Sequence, residues 1–458
     1  MRYEDRVFSS RKGFRSALLN EAFRSSGAVR QLPIAHQLKE VTRGKGERTQ
    51  GRKMLYVLGR SERRQAAARY VEGLLMDGQR KSIEPMAGRL GVQAQGLQQF
   101  VTDSPWSDAE LWSVIRREII SHLEPIESWI IDETSWIKQG RHSVGVAQQF
   151  CGAVGKNANC QVNVQLTVSN GLSAAPIAAQ LFLPEGWATD SARRAQAGIP
   201  AQVSFATKPQ IAVALIDEAL KDQVQKAPVL GDCVYGDSYR LRQALRERGL
   251  EFFLEITPSQ HKAWTQRVLT RKERKRRHVV PGQPEALSLG QIAEQLATSQ
   301  QWKDCSWKAA NGSTQCTRLA WTEVYLGRAL IHPDHDLEAA WLVLDWPQEK
   351  SEPYALYLAH LQRQPSAALC LRLSRSRWQI EQYFQRSKDD LGLDHYEGRS
   401  WRGFHHHLVL SALAYLFILT EFQRSKKNFC SHVGMDAPSD PSMATETHRL
   451  LSILQNQT

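Results

Sequence analysis

The chain has 458 residues, 42% of them hydrophobic, which is enough for two or three domains, or for one large domain carrying insertions, with a sizeable core. Its seven cysteines form no CxxC pair and have no histidine at zinc-finger spacing. A disulfide framework and a structural zinc site are therefore excluded as expectations, and the thiols read as reduced and mostly buried in a cytoplasmic protein. The net charge of +12 is concentrated in two places. Residues 1–60 hold fourteen Lys or Arg against five acids, and 261–277, HKAWTQRVLTRKERKRR, hold eight against one. The rest of the chain is slightly acidic, so basic arms on such a body point to a polyanionic partner, nucleic acid first, although a single basic run is most often a solvated loop.

Residues 1–60 mix Gly, Ser, Arg and Gln with weak periodicity and read as a loosely ordered basic extension; the charged N-terminus lacks the apolar core of a signal peptide. SERRQAAARYVEGLLM at 61–76 begins with a Ser cap and continues as an amphipathic helix. IEPMAGRLGVQAQGLQQFV at 83–101 then reads as a short helix, a turn at Gly91 and a second helix. That is the size of a DNA-binding helix-turn-helix, and equally of an ordinary helical hairpin in a bundle. The expected helical DNA-binding domain runs over 61–125.

From 126 the period changes. WIID at 129–132, SVGVAQQF at 143–150 and CQVNVQLTV at 160–168 predict three sequential strands. KPQIAVALIDEALKDQ at 208–223 predicts a helix, VLGDCVYG at 229–236 a strand, DSYRLRQALRERG at 237–249 a helix and EFFLEI at 251–256 a strand. This order is α/β with a mixed sheet, and it leaves Asp132 and Asp232 at or near strand ends. Residues 258–345 break the pattern and read as an insertion with several short strands. The region 346–424 would complete the core, with a long helix from about 366 to 391 and a buried helix near 405–422, and 425–458 would be a polar tail. The apolar run LVLSALAYLFIL at 408–419 is too short to span a bilayer, so no membrane partner is expected.

On the helix around 381, Ser374, Arg377, Glu381 and Lys388 project at about 0°, 300°, 340° and 320°, a stripe roughly 60° wide. A carboxylate flanked by two cations on one face is ordinarily a salt-bridged surface. Together with Asp132 and Asp232, however, it supplies three carboxylates from two strands and one helix, a set able to enclose one or two Mg²⁺ ions, with cations beside them for phosphates. Asp237 reads as the N-cap of the helix it opens, and Glu133 points to the opposite sheet face if the strand continues. His405, His406 and His407 cannot share one helix face, and so do not form a metal tract.

The blocks SWIIDETSWIKQGRHSVGVAQQFCGAVGKNANCQVNV, VLGDCVYGD and RWQIEQYFQRSKDDLGLDHYEGRSWRGFHHH resemble the successive signatures of insertion-sequence transposases with a DDE catalytic core, over residues from about 65 to 420. The resemblance implies an RNase H-like mixed-sheet core with an insertion before the catalytic glutamate. It also implies Mg²⁺-dependent DNA cleavage and strand transfer at a two-metal site, with Mn²⁺ as a substitute. The family's two aspartates fall on Asp132 and Asp232 and its glutamate on Glu381. A Tyr, Arg, Glu, Lys signature of related transposases is matched at Arg377, Glu381 and Lys388, which implies DNA contacts for Arg377 and Lys388. Its tyrosine position is Ser374, which leaves open both that contact to the element end and any hairpin intermediate dependent on it. The partners implied are double-stranded element-end and target DNA and a second copy of the chain. A nuclease or resolvase without strand transfer, and a regulator that no longer cuts, are the alternatives.

Overall fold

The computed structural model describes residues 54–268, 285–299, 301–308, 313–327, 337–350 and 355–432, with single residues 273 and 353 and with side chains to 420. Nearly all of the expected basic extension, six of the eight cations of the second basic run and most of the polar tail lie outside the described residues. A 3₁₀ turn at Leu55–Leu58 leads into four helices: α1 (Ser61–Leu75), α2 (Ile83–Leu90), α3 (Ala94–Thr102) and α4 (Asp108–Leu123). The cap of α1 is Arg60, not the expected serine, and Ser61 is its first helical residue.

The sheet begins with β1 (Ser128–Ile137), β2 (Ala147–Cys151), β3 (Lys156–Ser169) and β4 (Ala174–Leu181). The expected strand at 143–150 starts late because Gly145 adopts φ 73°, which ends any extended run, and the chain turns with Val146 bonding back to Ser143. Strand β4 is not apparent in the sequence, where AAPIAAQL is poor in β-branched residues and carries a proline. It is tolerated because Pro176 pairs with Thr167 at a register shift in the β3 ladder. Two short helices, α5 (Glu185–Ala188) and α6 (Ser191–Ala197), precede α7 (Lys208–Lys221), whose Thr207 and Gln210 form a capping box. Then come β5 (Val229–Gly231), α8 (Cys233–Gly236), α9 (Tyr239–Glu247) and β6 (Phe252–Glu255).

Pairing is antiparallel between β3 and β1, and parallel between β1 and β5 and between β5 and β6. With β4 also on β3, the strand succession β4-β3-β1-β5-β6 is an RNase H-like mixed sheet. From Cys160 to Ser169 every residue of β3 is buried, as expected of a central strand covered on both faces.

The intervening region adds β7 (Lys262–Trp264), β8 (Leu287–Ser288), α10 (Leu289–Thr298), β9 (Lys303–Lys308), β10 (Thr314–Leu326), β11 (Glu338–Trp346) and β12 (Ala355–His360). These strands continue the same sheet: β12 pairs with β6, β11 with β12 and β10 with β11, giving twelve strands among the described residues. Arg242 of α9 makes a buried two-pronged contact with Glu338 of β11, at 2.7 and 2.9 Å, which clasps the added strands to the core.

The single long helix expected over 366–391 is two, α11 (Ala367–Ser376) and α12 (Trp378–Asp389). The hydroxyls of Ser374 and Ser376 donate back to the carbonyls of Leu371 and Arg372, a habit that bends helices, and the break falls at Arg377. Helix α13 (Trp401–His432) closes the fold. Its segment Trp401–Thr420 is long and apolar enough to cross a membrane, yet it is mostly buried inside the protein, against β4 and helices α1, α3 and α4.

Candidate active site

The segment SWIIDET does not end at its acid. Strand β1 runs on to Ile137 along β3, so Asp132 is mid-strand, opposite Gln165. What ends there is the other neighbour: the last β1–β5 pair is Ile130 with Leu230, and β5 stops at Gly231. The sheet therefore opens beside Asp132. Asp232 does not continue a strand either; it caps α8, its Oδ1 accepting from Val234 N at 3.0 Å. Asp132 and Glu133 are the two half-buried positions in the interior of an otherwise buried strand.

Burial first, then the charge of Asp232, push the Asp132 carboxyl well above the usual carboxylate range, against the pull of Arg377. Burial and then the charge of Glu133 raise Asp232 to about 6. Two acids held this close resist ionising together and draw in a cation. Arg377, at the α11–α12 junction, supplies one. Its guanidinium lies 3.8 Å from Asp132, 3.5 Å from Glu255 and 3.7 Å from Glu381. Burial works against its charge, but those carboxylates and Asp232 outweigh it and keep it protonated. The helix that delivers it is anchored from behind, because Arg375 pairs with the buried Asp345 of β11 at 2.8 Å.

The structure thus brings Asp132, Asp232 and Arg377 together and places Glu381, in the first turn of α12, on the far side of the guanidinium. Lys388 lies a little under two turns along from Glu381 and donates to the Ser135 carbonyl of β1 at 3.2 Å, where burial lowers its pKa. Asp237 is not the N-cap of α9 as expected, since Ser238 takes that place; it follows the end of α8, and its carboxylate accepts from Thr257 N and His261, both at 3.0 Å. The three consecutive histidines are all buried at helix contacts.

Two acids were missed as participants. Glu255 ends β6, and burial raises its carboxyl. Its signal was present: FFLE repeats the apolar-strand-then-acid pattern of WIID. Glu133 is clamped by Lys208 of α7 at 2.5 Å and by the Tyr235 hydroxyl of α8 at 2.7 Å, so it ties both helices to the strand carrying Asp132. Nothing in local sequence pairs residues 133, 208 and 235.

Five carboxylates, Asp132, Glu133, Asp232, Glu255 and Glu381, therefore share this region with two cations, Arg377 and Lys208. All-oxygen donors with excess negative charge suit a hard divalent ion. Among the described residues no three metal-ligating side chains are gathered into one sphere. The Asp132–Asp232 pair is the part of the set that fits, with Arg377 standing between Asp132 and Glu381.

A family model described as DDE superfamily endonuclease matches residues 53–315, which include Asp132 and Asp232 and end before Glu381. The chain is also 31% identical over 255 residues to a probable transposase for insertion sequence element IS701 from Microchaete diplosiphon. That match covers 50% of this chain and 63% of the relative, so the chain spans less than two thirds of that protein's length. With more than half of its residues matched, a mixed sheet of the RNase H-like order and paired aspartates where that sheet opens, the chain belongs to the DDE superfamily of endonucleases.

Proposed function

We propose that the protein is an insertion-sequence DNA transposase, with Asp132, Asp232 and Glu381 as its catalytic carboxylates. The observation carrying this reading is the placing of Asp132 and Asp232 at the opening between β1 and β5, with Arg377 held against Asp132, Glu255 and Glu381. In this reading Asp132 and Asp232, joined by Glu381 once Arg377 has turned to DNA, would hold Mg²⁺ or Mn²⁺, two ions per site. Divalent ions there would supply activation of the attacking oxygen and stabilisation of the leaving one.

The chain's own residues do the positioning. Val234 N and Glu133 N each occupy one oxygen of the aspartates, fixing the rotamers and turning the other oxygens to the reacting centre. Arg377 moves from the carboxylates to a phosphate as DNA enters, and Lys388 adds positive charge from the same helix. Water attacks phosphorus in line, the 3′-oxygen leaves as a hydroxyl, and that 3′-OH then attacks target DNA, again expelling a 3′-oxygen. The helical segment 61–125 binds element ends, the basic extension adds affinity, and two copies synapse the ends.

The test is cleavage of end DNA in Mg²⁺, followed by joining of precut ends. Asp132→Ala, Asp232→Asn and Glu381→Gln should each lower cleavage by about 10³-fold or more while leaving DNA binding intact. Wild-type rates in all three would sink the assignment. Nicking without joining would favour a nuclease, and binding without either a regulator.

A further inference from the structure

Helices α2 and α3 meet in a specific way. α2 has eight residues, the turn is Gly91, Val92 and Gln93, and α3 has nine. Gly91 takes the left-handed conformation, φ 65° and ψ 33°, that a tight helix-to-helix turn requires and that glycine adopts without strain. Met86 and Ala87 of α2 and Leu97, Phe100 and Val101 of α3 are buried, with Val92 packed against the same core. α2 in turn lies tight on α1, since a methyl group on Gly73 would stand 3.1 Å from Leu90 and 3.2 Å from Met86. Three packed helices joined through this short glycine turn have the make-up of a helix-turn-helix.

What α3 shows to solvent is unusual. Gln95, Gln98 and Gln99 are exposed, at about 0°, 300° and 40° around the helix, and Gln93 is exposed at its cap. The buried residues occupy the opposite side. From Gly91 to Thr102 the sequence has no charged residue, so this face carries amides alone. Gly96 also faces outward, and a methyl group there would meet nothing within 4 Å. From behind, α3 is held by α13: His406 Nδ1 lies 2.8 Å from the Val101 carbonyl, and Arg402 donates to the Asp103 carbonyl at 3.0 Å.

We infer that α3 is a recognition helix that enters the major groove of duplex DNA and reads adenines through Gln95 and Gln98, with Gln99 beside them. A glutamine amide matches the N7 acceptor and N6 donor of adenine in that groove, and recognition helices read bases from their N-terminal half. Sequence reading and attraction to phosphate are separated here. The basic segment 1–60 runs directly into α1, and Arg69 of α1 is an exposed cation on the neighbouring helix, while Arg80 before α2 is exposed but paired with Glu397, so charge from the basic segment attracts the duplex while an uncharged face discriminates. This inference rests on the DNA-binding part of the proposed function, and Gly96 suits it because a bare backbone lets the helix approach closely.

The experiment uses the full chain and a duplex library with a randomised core. Wild type should enrich a motif containing adenines. Gln95→Ala and Gln98→Ala, both at exposed positions, should each lose preference at one position of it, bind the selected duplex about ten-fold more weakly and keep the same salt dependence. Replacing the motif's adenines by 7-deazaadenine, which lacks the N7 acceptor, should weaken wild type and leave the variant of the matching glutamine unaffected. The inference is overturned if wild type enriches no adenine-containing motif, if the variants select the wild-type motif, or if 7-deazaadenine duplex binds wild type as tightly. Absence of binding to any duplex would remove the transposase reading as well; binding with an unchanged selected motif would remove only the role of α3.

Discussion

At the scale of single residues, the site is organised by charge repulsion that the fold tolerates. Asp232 has its pKa raised to about 6, by burial first and Glu133 second, against about 3.9 in an unfolded chain. A group with a raised folded pKa contributes its full stability below the unfolded value and loses it as pH rises through the folded one. Above pH 6 the ionised Asp232 therefore costs stability. In the presence of a chelator, Asp232→Asn should melt higher than wild type at pH 8, by on the order of 1 kcal/mol given partial exposure, and the gap should close by pH 4. A gain equal at both pH values would show that charge is not its source. Millimolar Mg²⁺ or Mn²⁺ should raise the wild-type melting temperature and leave Asp132→Ala unmoved; an equal rise in both would place the binding elsewhere. Asp132 and Asp232 are legible as acids following apolar runs. Glu133 is not, because its importance comes from Lys208 and Tyr235, which are distant along the chain.

At the scale of elements, the important features are terminations. Strand β5 is three residues long, and the turn of helix α8 follows at once, with Gly236 pressed on the end of β6. A methyl group on Gly236 would lie 1.8 Å from the Glu255 carbonyl oxygen, an impossible contact with backbone. Gly236→Ala should cost on the order of 3 kcal/mol or more and should displace Asp232 together with Glu255. Thermal unfolding and DNA cleavage should both suffer, whereas a variant with wild-type stability would contradict the packing described. By contrast, Gly88 and Gly96 sit in helices with open space around them. Gly88→Ala and Gly96→Ala should each stabilise by about 0.5–1 kcal/mol, read as a shift in denaturation midpoint, and only Gly96→Ala should weaken DNA binding. The break between α11 and α12 was hidden in the sequence, since helix periodicity passes through it; serine back-bonding and the pull of three carboxylates on Arg377 fall at the same place.

At the scale of the molecule, α13 joins the helical segment to the sheet, and the histidines are the joint. His406 lies between the Val101 and Trp106 carbonyls and stacks on the Trp106 ring at 3.5 Å, while His407 meets the Tyr70 hydroxyl at 2.8 Å and the Leu393 carbonyl at 3.0 Å. Burial lowers both pKa values to about 4. A depressed folded pKa means that the contribution is present above the unfolded value of about 6.5 and is lost as pH falls towards 4. Between pH 7 and 4.5 wild type should lose on the order of 2 kcal/mol more stability than His407→Gln, measured by denaturant unfolding at each pH. Parallel losses would mean that His407 does not titrate across this range.

The sequence by itself determined the α/β order, the glycine turn between α2 and α3, the strand bearing Asp132, the place of Asp232 just past a short apolar strand, and the helical stripe of Arg377, Glu381 and Lys388. These are legible because periodicity, caps and turn residues act within a few positions of one another. Tertiary structure alone decided that β7 to β12 extend the core sheet, that Pro176 could sit in a strand, that Glu133 belongs with the aspartates, and that Arg377 lies among carboxylates. Each of those outcomes depends on pairing, burial or charge between segments tens to hundreds of residues apart, where no local pattern carries the information.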